Sequence, residues 1–569
     1  MCGIFGYIGA GNAAEIVFDG LKKLEYRGYD SWGIAVVASQ ALSTEKHIGK
    51  IAASHLTLSP SPCALGHTRW ATHGGVTDAN AHPHLDCQGK IAVVHNGIIE
   101  NYQVLKAELQ ALGHRFTSET DTEVFAHLIE EANKKTSFVK AVKASFARAK
   151  GLNTLVALDH TGTLVACRNG SPLVVGKTAT GDLFVSSDIP SLLSYTKRLS
   201  VVEDSQVVVI QGGTLTTPLK FKTITMDAET ADKGIYPHFL LKEIHDQPLA
   251  LNRLAQADLS AVSSARKILA KATAVYGLGC GTAFFSMLEA SYLFAQYSQK
   301  QLISIPANEF AGFAGLLGKD SVVILASQSG ETMDTIQAMR LAKSRGAKTI
   351  ALVNVPASTL SREVDVVIPL LAGIERAVVS TKAFTNMVAS ILMILDQPKV
   401  LKQASTLVPK ILAGTIKSKI LALLPRLMTH EHLFIIGRGT NYPLALEGAL
   451  KLKETAYFHA EGFAGGELKH GMIALIEPGT PCLVIVSADQ ERDSTLSGAM
   501  ELKARGAWII GIGPKQEEVF DDWIPVPATP LTSPLLNAIP LQLLGYYLAV
   551  AKNLDPDMPR NLAKSVTVK

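Results

Sequence analysis

Three features are scarce in this 569-residue sequence, and each scarcity argues against a class of protein. No block of Lys or Arg stands out and the formal net charge is +4, so the charge pattern does not indicate binding to nucleic acid or to an anionic membrane. No apolar run approaches the roughly 18 residues that a membrane-spanning helix needs, and no cationic-then-apolar leader opens the chain. Cysteines are few and lack paired spacing, which disfavours a disulfide framework and favours a cytoplasmic protein with reduced thiols. They are Cys2, Cys63, Cys87, Cys167, Cys280 and Cys482.

Apolar residues, in contrast, are plentiful. They make up 47% of the chain against 18% charged residues, which is typical of a globular protein with ample core. The length predicts about two to four domains.

The N-terminal part, residues 2–212, is rich in short β-like runs such as GIAVVA, KIAVVHNG and NTLVALD. Two helical stretches interrupt them, around 101–113 and 121–133. This pattern predicts an αββα sandwich of stacked antiparallel sheets with helices outside. A polar stretch follows, so residues 213–262 are predicted as a linker and a connecting helix.

Beyond about residue 236, apolar strands alternate with long helices, and the pattern repeats. VYGLGCGTAFFSMLEA at 275–290 aligns with FIIGRGTNYPLALEGA at 434–449, pairing Gly279 with Gly437, Gly281 with Gly439 and Glu289 with Glu447. The repeat predicts two doubly wound parallel-sheet domains, at 263–402 and 422–560, followed by a tail at 561–569.

The two copies differ at one turn between a strand and a helix. The first copy reads SQSGET at 327–332, whereas the second reads SADQE at 487–491. A hydroxyl-rich turn at a helix N-terminus can bind a phosphate through backbone N–H groups, but it can also simply cap the helix. Because Asp489 would repel an anion, the contrast favours a phosphate site in the first copy only.

Glu447, Lys451 and Glu454 are spaced to share one face of a helix. A surface ladder of salt bridges is one interpretation. Leu444 and Leu450 flank the three residues, however, and favour a partly buried cluster with shifted pKa values that is suited to proton transfer.

Cys2 directly follows the initiator Met1. If Met1 is removed, one residue carries both a thiol and an α-amine that can act as its base. The alternative is that Cys2 is a small buried residue on a first strand.

Five histidines between residues 67 and 95 lie near Cys87 and could suggest a zinc site. Their spacings match no compact zinc pattern, and the segments HNG, HGG and HPH are interpreted as tight turns. The histidines are His67, His73, His82, His84 and His95, and no metal site is predicted from them.

Taken together, these motifs resemble one family over essentially the whole chain. CGIFGYIG, LEYRGYDSWGIAV, HTRWATHG, NAHPH, HNGIIEN and SETDTEV resemble the glutaminase domain of N-terminal-nucleophile amidotransferases. SQSGETMDT, STKAF, ALEGALKLKE, GELKHG and PRNLAKSVTVK resemble the paired sugar-isomerase (SIS) domains of the glutamine–fructose-6-phosphate aminotransferase family. The resemblance implies synthesis of glucosamine 6-phosphate and glutamate from fructose 6-phosphate and glutamine, the first step of amino-sugar synthesis, without metal or organic cofactor.

The resemblance also implies roles for residues of the glutaminase part. Cys2 would be the nucleophile, and Asn96 with the backbone of Gly97 would form the oxyanion hole. Arg69 and Asp121 would hold the α-carboxylate and α-amine of glutamine. Further glutamine-site residues would be Trp70, Thr72, His73 and His82, with Trp70 also gating ammonia passage.

In the isomerase part, the resemblance implies that Lys564 forms a Schiff base with the ketose. Glu454 would move the proton between carbons 1 and 2, assisted by Lys451 and Glu447. His470 would come from the neighbouring subunit to open the sugar ring, which implies a homodimer. Sugar-phosphate contacts would be Gly281, Thr282, Ser327, Gln328, Ser329, Thr332, Val379, Ser380 and Ala563. The sequence departs from the family at Ala283, where a serine is usual, and this departure predicts weaker phosphate binding.

Three alternatives use parts of the same pattern. An amidophosphoribosyltransferase would need a paired-acid diphosphate loop, and none lies beside an apolar strand. A sugar-phosphate-sensing regulator would bring a DNA-binding helix pair and would not need Cys2 or Lys564. A related SIS-domain amidotransferase or deglycase acting on another sugar phosphate stays open, because few residues distinguish the distal carbons of the sugar.

Overall fold

The computed structural model describes residues 2–51, 54–224, 233–258 and 260–566. The chain divides into two units, which are taken one at a time. The first is Met1–Thr230 together with Ala563–Lys569, and the second is Ala231–Leu562.

The first unit stacks two antiparallel sheets. Its strands are β1 (Gly3–Ile8), β2 (Ser31–Ala38), β3 (Ala41–Ile48), β4 (Cys63–Arg69), β5 (His84–Leu85), β6 (Ile91–Gly97), β7 (Asn153–Asp159), β8 (Leu164–Asn169), β9 (Val174–Lys177), β10 (Leu183–Ser186), β11 (Arg198–Val201), β12 (Val207–Gln211), β13 (Thr214–Leu215) and β14 (Lys222–Thr223). Its helices are α1 (Ala13–Leu24), α2 (Tyr102–Ala111), α3 (Glu123–Asn133) and α4 (Phe138–Arg148). Among the described residues, one sheet has the order β14-β11-β9-β10-β1-β4-β2-β3 and the other β13-β12-β8-β7-β6-β5.

Apolar side chains fill the space between the two sheets. Ile4 and Leu65 from one sheet pack in the same cluster as Val156 and Leu164 from the other. Helix α1 covers the outer face of the first sheet, and α3 and α4 cover that of the second. The predicted αββα sandwich is therefore confirmed.

Two details of the first unit differ from the sequence prediction. Helices α1 and α4 were not predicted, although they are as long as α2 and α3 and their buried positions recur at helical spacing. Residues 213–224 were predicted as linker but contain β13 and β14, which pair with β12 and β11. Polar composition hid these strands because both are at sheet edges and largely exposed. The rest of the predicted linker up to residue 232 lies outside the described residues.

The second unit alternates parallel strands with helices. Its strands are β15 (Ala274–Gly279), β16 (Leu302–Pro306), β17 (Ser321–Ser327), β18 (Lys348–Val353), β19 (Val366–Pro369), β20 (His432–Gly437), β21 (His459–Ala464), β22 (Pro481–Ile485), β23 (Trp508–Gly513) and β24 (Asp522–Pro525). Its helices are α5 (Phe239–His245), α6 (Gln247–Gln256), α7 (Ser260–Lys271), α8 (Thr282–Tyr297), α9 (Met333–Ser344), α10 (Thr359–Glu363), α11 (Lys382–Ile394), α12 (Pro398–Ala413), α13 (Ile416–Leu427), α14 (Asn441–Ala456), α15 (Arg492–Lys503), α16 (Ser533–Leu536) and α17 (Ala538–Ala551).

The predicted repeat is visible in both sheets and backbone. The strand orders β16-β15-β17-β18-β19 and β21-β20-β22-β23-β24 are the same doubly wound order. Gly281 and Gly439, which immediately precede the first turns of α8 and α14, share the same φ of 54°. A Cβ on Gly279 would lie 2.6 Å from Ala283 C, and one on Gly437 would lie 2.1 Å from Asn441 O. In both copies, glycine is thus required where the helix passes close to the strand end.

The two copies share one hydrophobic cluster. It joins Met287 and Phe384 of the first copy with Leu444 and Leu483 of the second, and helix α17 contributes Leu544. The stretch Ser533–Ala551, formed by α16 and α17, is long and apolar enough to cross a membrane, which the sequence analysis did not expect. Of its 18-residue window, 83% is buried inside the protein, as in the core helix of a folded domain.

Candidate active sites

Cys2 lies immediately before β1, an interior strand of the first sheet. The Trp70 N–H donates to Cys2 Sγ at 3.4 Å, and the thiol donates to Trp70 O at 3.6 Å. Burial raises the pKa of Cys2, while the Trp70 N–H and the Arg69 charge oppose that rise. The thiol therefore needs a base before it can attack. Met1 lies outside the described residues, so its removal stays a prediction.

Asn96 and Gly97 end strand β6 beside Cys2. Asn96 Nδ2 donates to Cys2 O at 3.1 Å, and Asn96 Oδ1 contacts His67 Nε2 at 3.2 Å, which fixes the orientation of the amide. Gly97 has φ 139°, and a Cβ there would lie 2.3 Å from Leu152 O. Only glycine fits, and it leaves the backbone after Asn96 in a conformation that other residues rarely adopt.

The histidine-rich stretch forms a buried polar layer rather than tight turns. His67 lies in β4, His84 in β5 and His95 in β6. The rings of His67 and His82 stack with centroids 4.1 Å apart. Burial lowers the pKa of His67 to about 3 and that of His82 well below its ordinary value. These rings are neutral at physiological pH and serve as hydrogen-bonding supports.

Arg69, at the end of β4, and Asp121, before α3, provide opposite charges. The Arg69 guanidinium donates to the carbonyls of Gly74 and Gly75 at 3.2 and 3.0 Å. Asp121 Oδ2 accepts the Ile99 N–H at 2.8 Å. Burial lowers the pKa of Arg69, and nearby carboxylates including Asp121 oppose that shift.

Thr72 and His73 lie in the segment after β4. Thr72 is exposed, and its hydroxyl is 3.4 Å from His73 Nδ1. The His73 ring meets Tyr102 edge-on with centroids 5.4 Å apart.

In the second unit, the predicted trio lies on helix α14. Lys451 Nζ is 3.3 Å from Glu447 Oε1 and 2.6 Å from Glu454 Oε2. Glu447 and Lys451 side chains are 1% exposed, whereas Glu454 is 20% exposed. Burial raises the pKa of Glu447 to about 7. Burial alone would lower the pKa of Lys451, but the two carboxylates outweigh it and the pKa is raised. The surface-ladder interpretation is wrong for this trio.

This cluster contacts the predicted sugar-phosphate residues. Lys451 Nζ donates to Thr282 Oγ1 at 2.9 Å and to Ser380 O at 3.3 Å, and Thr282 Oγ1 donates to Glu447 Oε1 at 3.3 Å. Thr282 is the first residue of α8, where the positive end of the helix dipole lies. The acid–base groups of the second copy therefore lie against a helix N-terminus of the first copy.

The turn after β17 is stabilised by its own hydroxyls. Ser327 Oγ and Thr332 Oγ1 are 3.1 Å apart, and Ser327 Oγ accepts the Gly330 N–H at 3.0 Å. Ser329 Oγ accepts the Glu331 N–H at 3.1 Å. These hydroxyls therefore bind backbone N–H groups of the turn, in part as the capping interpretation predicts. Gln328 and Ser329 are half-exposed.

The matching place in the second copy is filled by amides. Asn441 Nδ2 donates to Ser487 Oγ at 2.8 Å, and Asn537 Nδ2 donates to Asn441 Oδ1 at 3.0 Å. Asp489 Oδ1 accepts the Glu491 N–H at 3.0 Å, where Ser329 does so in the first copy. A carboxylate and a closed amide network are unsuited to binding a phosphate there.

Comparison with known proteins covers the entire chain. Residues 53–225 match the glutamine amidotransferase domain family, and residues 268–396 and 427–552 match the SIS domain family. Glutamine–fructose-6-phosphate aminotransferase (isomerizing) of Pyrococcus horikoshii is 41% identical over 599 residues, with 100% of both chains covered. Its namesake from Streptomyces coelicolor is 42% identical over 619 residues with the same coverage.

The chain belongs to the glutamine–fructose-6-phosphate aminotransferase family. The resemblance inferred from the motifs is thereby confirmed. The solved C-terminal domain of the glucosamine-fructose-6-phosphate aminotransferase from Francisella tularensis is 31% identical, with a TM-score of 0.53, and covers 58% of this chain and 99% of that one. Tagatose-6-phosphate ketose/aldose isomerase from Escherichia coli has a TM-score of 0.50 at 19% identity, a likeness of fold alone.

Four further residues were expected from the family. Val379 is fully buried, and His470 is exposed at the end of a short 3₁₀ helix, Glu467–His470. Ala563 and Lys564 belong to the terminal segment that groups with the first unit. The roles of these four residues stay predictions.

Two supporting residues were missed in the sequence. Arg27 Nε donates to Cys2 O at 3.4 Å, and Arg27 was available as a signal within the motif LEYRGYD. Glu375 is buried, and its carboxylate accepts the Ser380 hydroxyl at 3.2 Å and the Thr381 N–H at 2.8 Å. No local pattern marks Glu375, because its partners follow in an irregular loop.

Proposed function

We propose that this chain hydrolyses glutamine in its first unit and transfers the ammonia to fructose 6-phosphate, with ketose–aldose isomerisation, giving glucosamine 6-phosphate and glutamate. The observation that carries the proposal is that one chain combines a thiol beside an amide donor with a buried carboxylate–ammonium–hydroxyl cluster. Neither a glutaminase alone nor a sugar-phosphate sensor needs both.

The glutaminase step begins at Cys2. In the mature chain, its own α-amine takes the thiol proton, and the thiolate attacks the side-chain amide of glutamine. Asn96 Nδ2 and the Gly97 N–H stabilise the oxyanion that develops. Ammonia leaves, and water hydrolyses the γ-glutamyl thioester to glutamate. Arg69 and Asp121 hold the α-carboxylate and α-amine, and Trp70, Thr72, His73 and His82 complete the glutamine site.

The isomerase step uses Lys564 of the terminal segment and the acid–base trio of α14. Lys564 forms a Schiff base with the ketose carbonyl, which makes the adjacent C–H acidic, and ammonia then replaces the lysine nitrogen. Glu454 moves the proton between carbons 1 and 2. Its partial exposure suits contact with substrate, and the Lys451 ammonium lies 2.6 Å from its carboxylate.

Phosphate recognition relies on neutral donors. The residues that carry it are Gly281, Thr282, Ser327, Gln328, Ser329 and Thr332, with sugar contacts from Val379, Ser380 and Ala563. The turn SQSGET contains no Lys or Arg, so hydroxyls, backbone N–H groups and helix dipoles must hold the dianion.

His470 opens the sugar ring from a neighbouring subunit, so the active form is a homodimer. The exposure of His470 supports this assignment, because a side chain that serves a partner must be accessible. We also propose a cytoplasmic location, since the six cysteines of the chain are free thiols.

The test is mass spectrometry of the products formed from fructose 6-phosphate with glutamine or with ammonium. The wild type should give glucosamine 6-phosphate and glutamate. Cys2→Ala should abolish glutamine use and affect the ammonium-supported reaction far less, whereas Cys63→Ala in the same unit should retain both. Full glutamine use by Cys2→Ala, or by a chain that retains Met1, would contradict the assignment.

A second experiment identifies the Schiff-base lysine. Borohydride reduction in the presence of fructose 6-phosphate should attach sugar to the peptide that contains Lys564. Attachment to Lys451 instead would exchange the two roles. If glucosamine 6-phosphate does not form at all, the related amidotransferase or deglycase activity on another sugar phosphate becomes the better assignment.

A further inference from the structure

Four side chains with metal-binding atoms meet in the first unit, outside the proposed glutamine site. They are Cys87, His114, His127 and Glu130, and their ligand atoms all lie within 4.8 Å of one another. Cys87 is in the turn between β5 and β6, His114 follows α2, and His127 and Glu130 lie three residues apart on α3. The two histidines and the glutamate are buried, whereas Cys87 is exposed and leaves the cluster accessible from solvent.

The distances between these atoms fit a tetrahedral ion. Cys87 Sγ is 3.7 Å from His114 Nδ1 and 3.5 Å from His127 Nδ1. Glu130 Oε2 is 3.0 Å from His114 Nδ1 and 3.3 Å from His127 Nδ1. With zinc bonds of about 2.3 Å to sulfur and about 2.0–2.1 Å to nitrogen or oxygen, a tetrahedron separates its ligand atoms by about 3.3–3.6 Å.

The far side of each imidazole faces another carboxylate. His114 Nε2 is 3.2 Å from Glu131 Oε2, and His127 Nε2 is 3.6 Å from Glu123 Oε1. Histidines that bind metals commonly donate their second ring N–H to a carboxylate, which directs the lone pair of the other nitrogen at the ion. His114 therefore has the outer hydrogen-bond partner that a ligating Nδ1 requires, and the His127 ring faces a carboxylate at ion-pair distance.

We propose that Cys87, His114, His127 and Glu130 bind one Zn²⁺ ion. A thiolate and two imidazoles favour zinc over magnesium or calcium, and the thiolate and carboxylate together balance its charge. Because all four positions come from the protein, the site is structural rather than catalytic. It joins the β5–β6 turn and the segment after α2 to helix α3.

This site differs from the zinc site considered in the sequence. There, Cys87 was weighed with the histidines between residues 67 and 95, and no metal was predicted. Its partners in the structure are 27 to 43 positions further along the chain, so no short spacing pattern could indicate them. The alternative to a metal is a hydrogen-bonded cluster in which both imidazoles donate from Nδ1 to Glu130.

The experiment is a titration of the full chain with Co²⁺ and Zn²⁺ after removal of metals by chelation. One Co²⁺ per chain should bind, giving tetrahedral d–d absorption and a sulfur-to-cobalt charge-transfer band, and Zn²⁺ should displace it. Cys87→Ser should lose the charge-transfer band, and His114→Ala should lose stoichiometric binding. His55→Ala, which alters an exposed histidine of the same unit, is the matched control and should bind normally.

A milder variant guards against loss of folding. Glu131→Gln changes an outer partner of His114, at the cost of one exposed ion pair with Lys134, and should weaken Zn²⁺ affinity by about 10- to 100-fold while the chain stays folded. Wild-type protein that binds no stoichiometric Co²⁺ would overturn the proposal. So would an unchanged Co²⁺ spectrum in Cys87→Ser or His114→Ala, since the ion would then be elsewhere.

Discussion

Glu447 and Glu454 share the ammonium of Lys451 but differ in their surroundings. Glu447 is almost completely buried and also contacts the Thr282 hydroxyl, whereas Glu454 keeps a fifth of its side chain exposed. Burial raises the pKa of Glu447 to about 7, so this carboxyl changes its protonation state near neutral pH. We infer that Glu447 sets the charge of the cluster while Glu454 carries the proton.

The first prediction follows from this difference. Glu454→Gln should lower kcat by about 10²–10⁴-fold, the usual contribution of a general acid–base group, and Glu447→Gln should cost less. Glu447→Gln should also remove an inflection near pH 7 from the kcat profile of the ammonium-supported reaction. Equal losses in both variants, or full activity without Glu454, would mean that the trio is a structural ion cluster.

Glu289 occupies the position in the first copy that Glu447 occupies in the second. Neither of its carboxylate oxygens has a hydrogen-bond partner among the described residues, and burial raises its pKa well above the ordinary value of 4.5. Because the folded-state pKa exceeds the unfolded one, the folded state holds its proton longer. Its stability therefore falls as the pH rises above about 4.5.

The second prediction is that Glu289→Met stabilises the chain more at pH 8 than at pH 5. The gain at pH 8 should reach at least about 1.4 kcal/mol in the free energy of unfolding, the equivalent of one pKa unit. Denaturant unfolding at both pH values measures it, with the exposed Glu309→Met as control. A loss of stability that is equal at both pH values would contradict this account.

Local spacing revealed some site residues and not others. Glu447, Lys451 and Glu454 could be predicted because helical periodicity alone places them on one face. Glu375 could not be predicted, because it lies in an irregular loop and no sequence pattern indicates its contact with the Ser380 hydroxyl.

Among the elements, helix α8 is the one whose sequence bears most directly on the proposed binding of the sugar phosphate. Its first residue, Thr282, contacts the proposed catalytic cluster, and its second, Ala283, lacks the hydroxyl that the motif resemblance leads us to expect. Ala283 is half-buried and packs against the shared hydrophobic cluster. The hydroxyls of Thr282 and Ser329 would have to compensate for the missing donor.

The third prediction is that Ala283→Ser lowers the KM for fructose 6-phosphate. One hydrogen bond to a charged group is worth about 1.5–3 kcal/mol at most, which corresponds to a decrease between several-fold and roughly a hundredfold. Thr282→Ala and Ser329→Ala should each raise this KM, and the KM for glutamine is the internal control. An unchanged or higher sugar KM in Ala283→Ser would show that position 283 does not face the phosphate.

The elements that were predicted correctly are those with long, regular patterns. The repeated strand–Gly–helix pattern predicted β15 with α8 and β20 with α14, and their glycines share one backbone conformation. Short edge strands such as β13 and β14 were missed because they bury too little apolar surface to leave an alternating pattern.

On the scale of the whole molecule, the second unit behaves as one body built from two copies. Gln247 Nε2 of α6 donates to Gln542 Oε1 of α17 at 2.9 Å, and Gln542 Nε2 reaches Thr381 O at 3.5 Å. These buried hydrogen bonds and the shared hydrophobic cluster join the start of the unit to its end. We therefore expect the domain boundaries predicted at 402 and 422 to mark sequence repeats rather than independent folding units.

The fourth prediction is that residues 233–562, expressed alone, unfold in a single calorimetric transition. The calorimetric and van't Hoff enthalpies should agree, because neither copy retains a closed core without the other. Leu544→Ala should lower the midpoint of that single transition without splitting it. Two transitions, or a stable fragment 263–402, would contradict the shared core.

Helix α17 also affects how the chain can fold during its synthesis. It ends at Ala551, close to the C-terminus, yet its side chains complete the core around strands encoded far earlier. During translation, part of the apolar surface of the first copy therefore stays uncovered until α17 has been synthesised. Nascent chains that stop before residue 538 should consequently depend on chaperones, whereas the first unit can fold most of its sheets while synthesis continues.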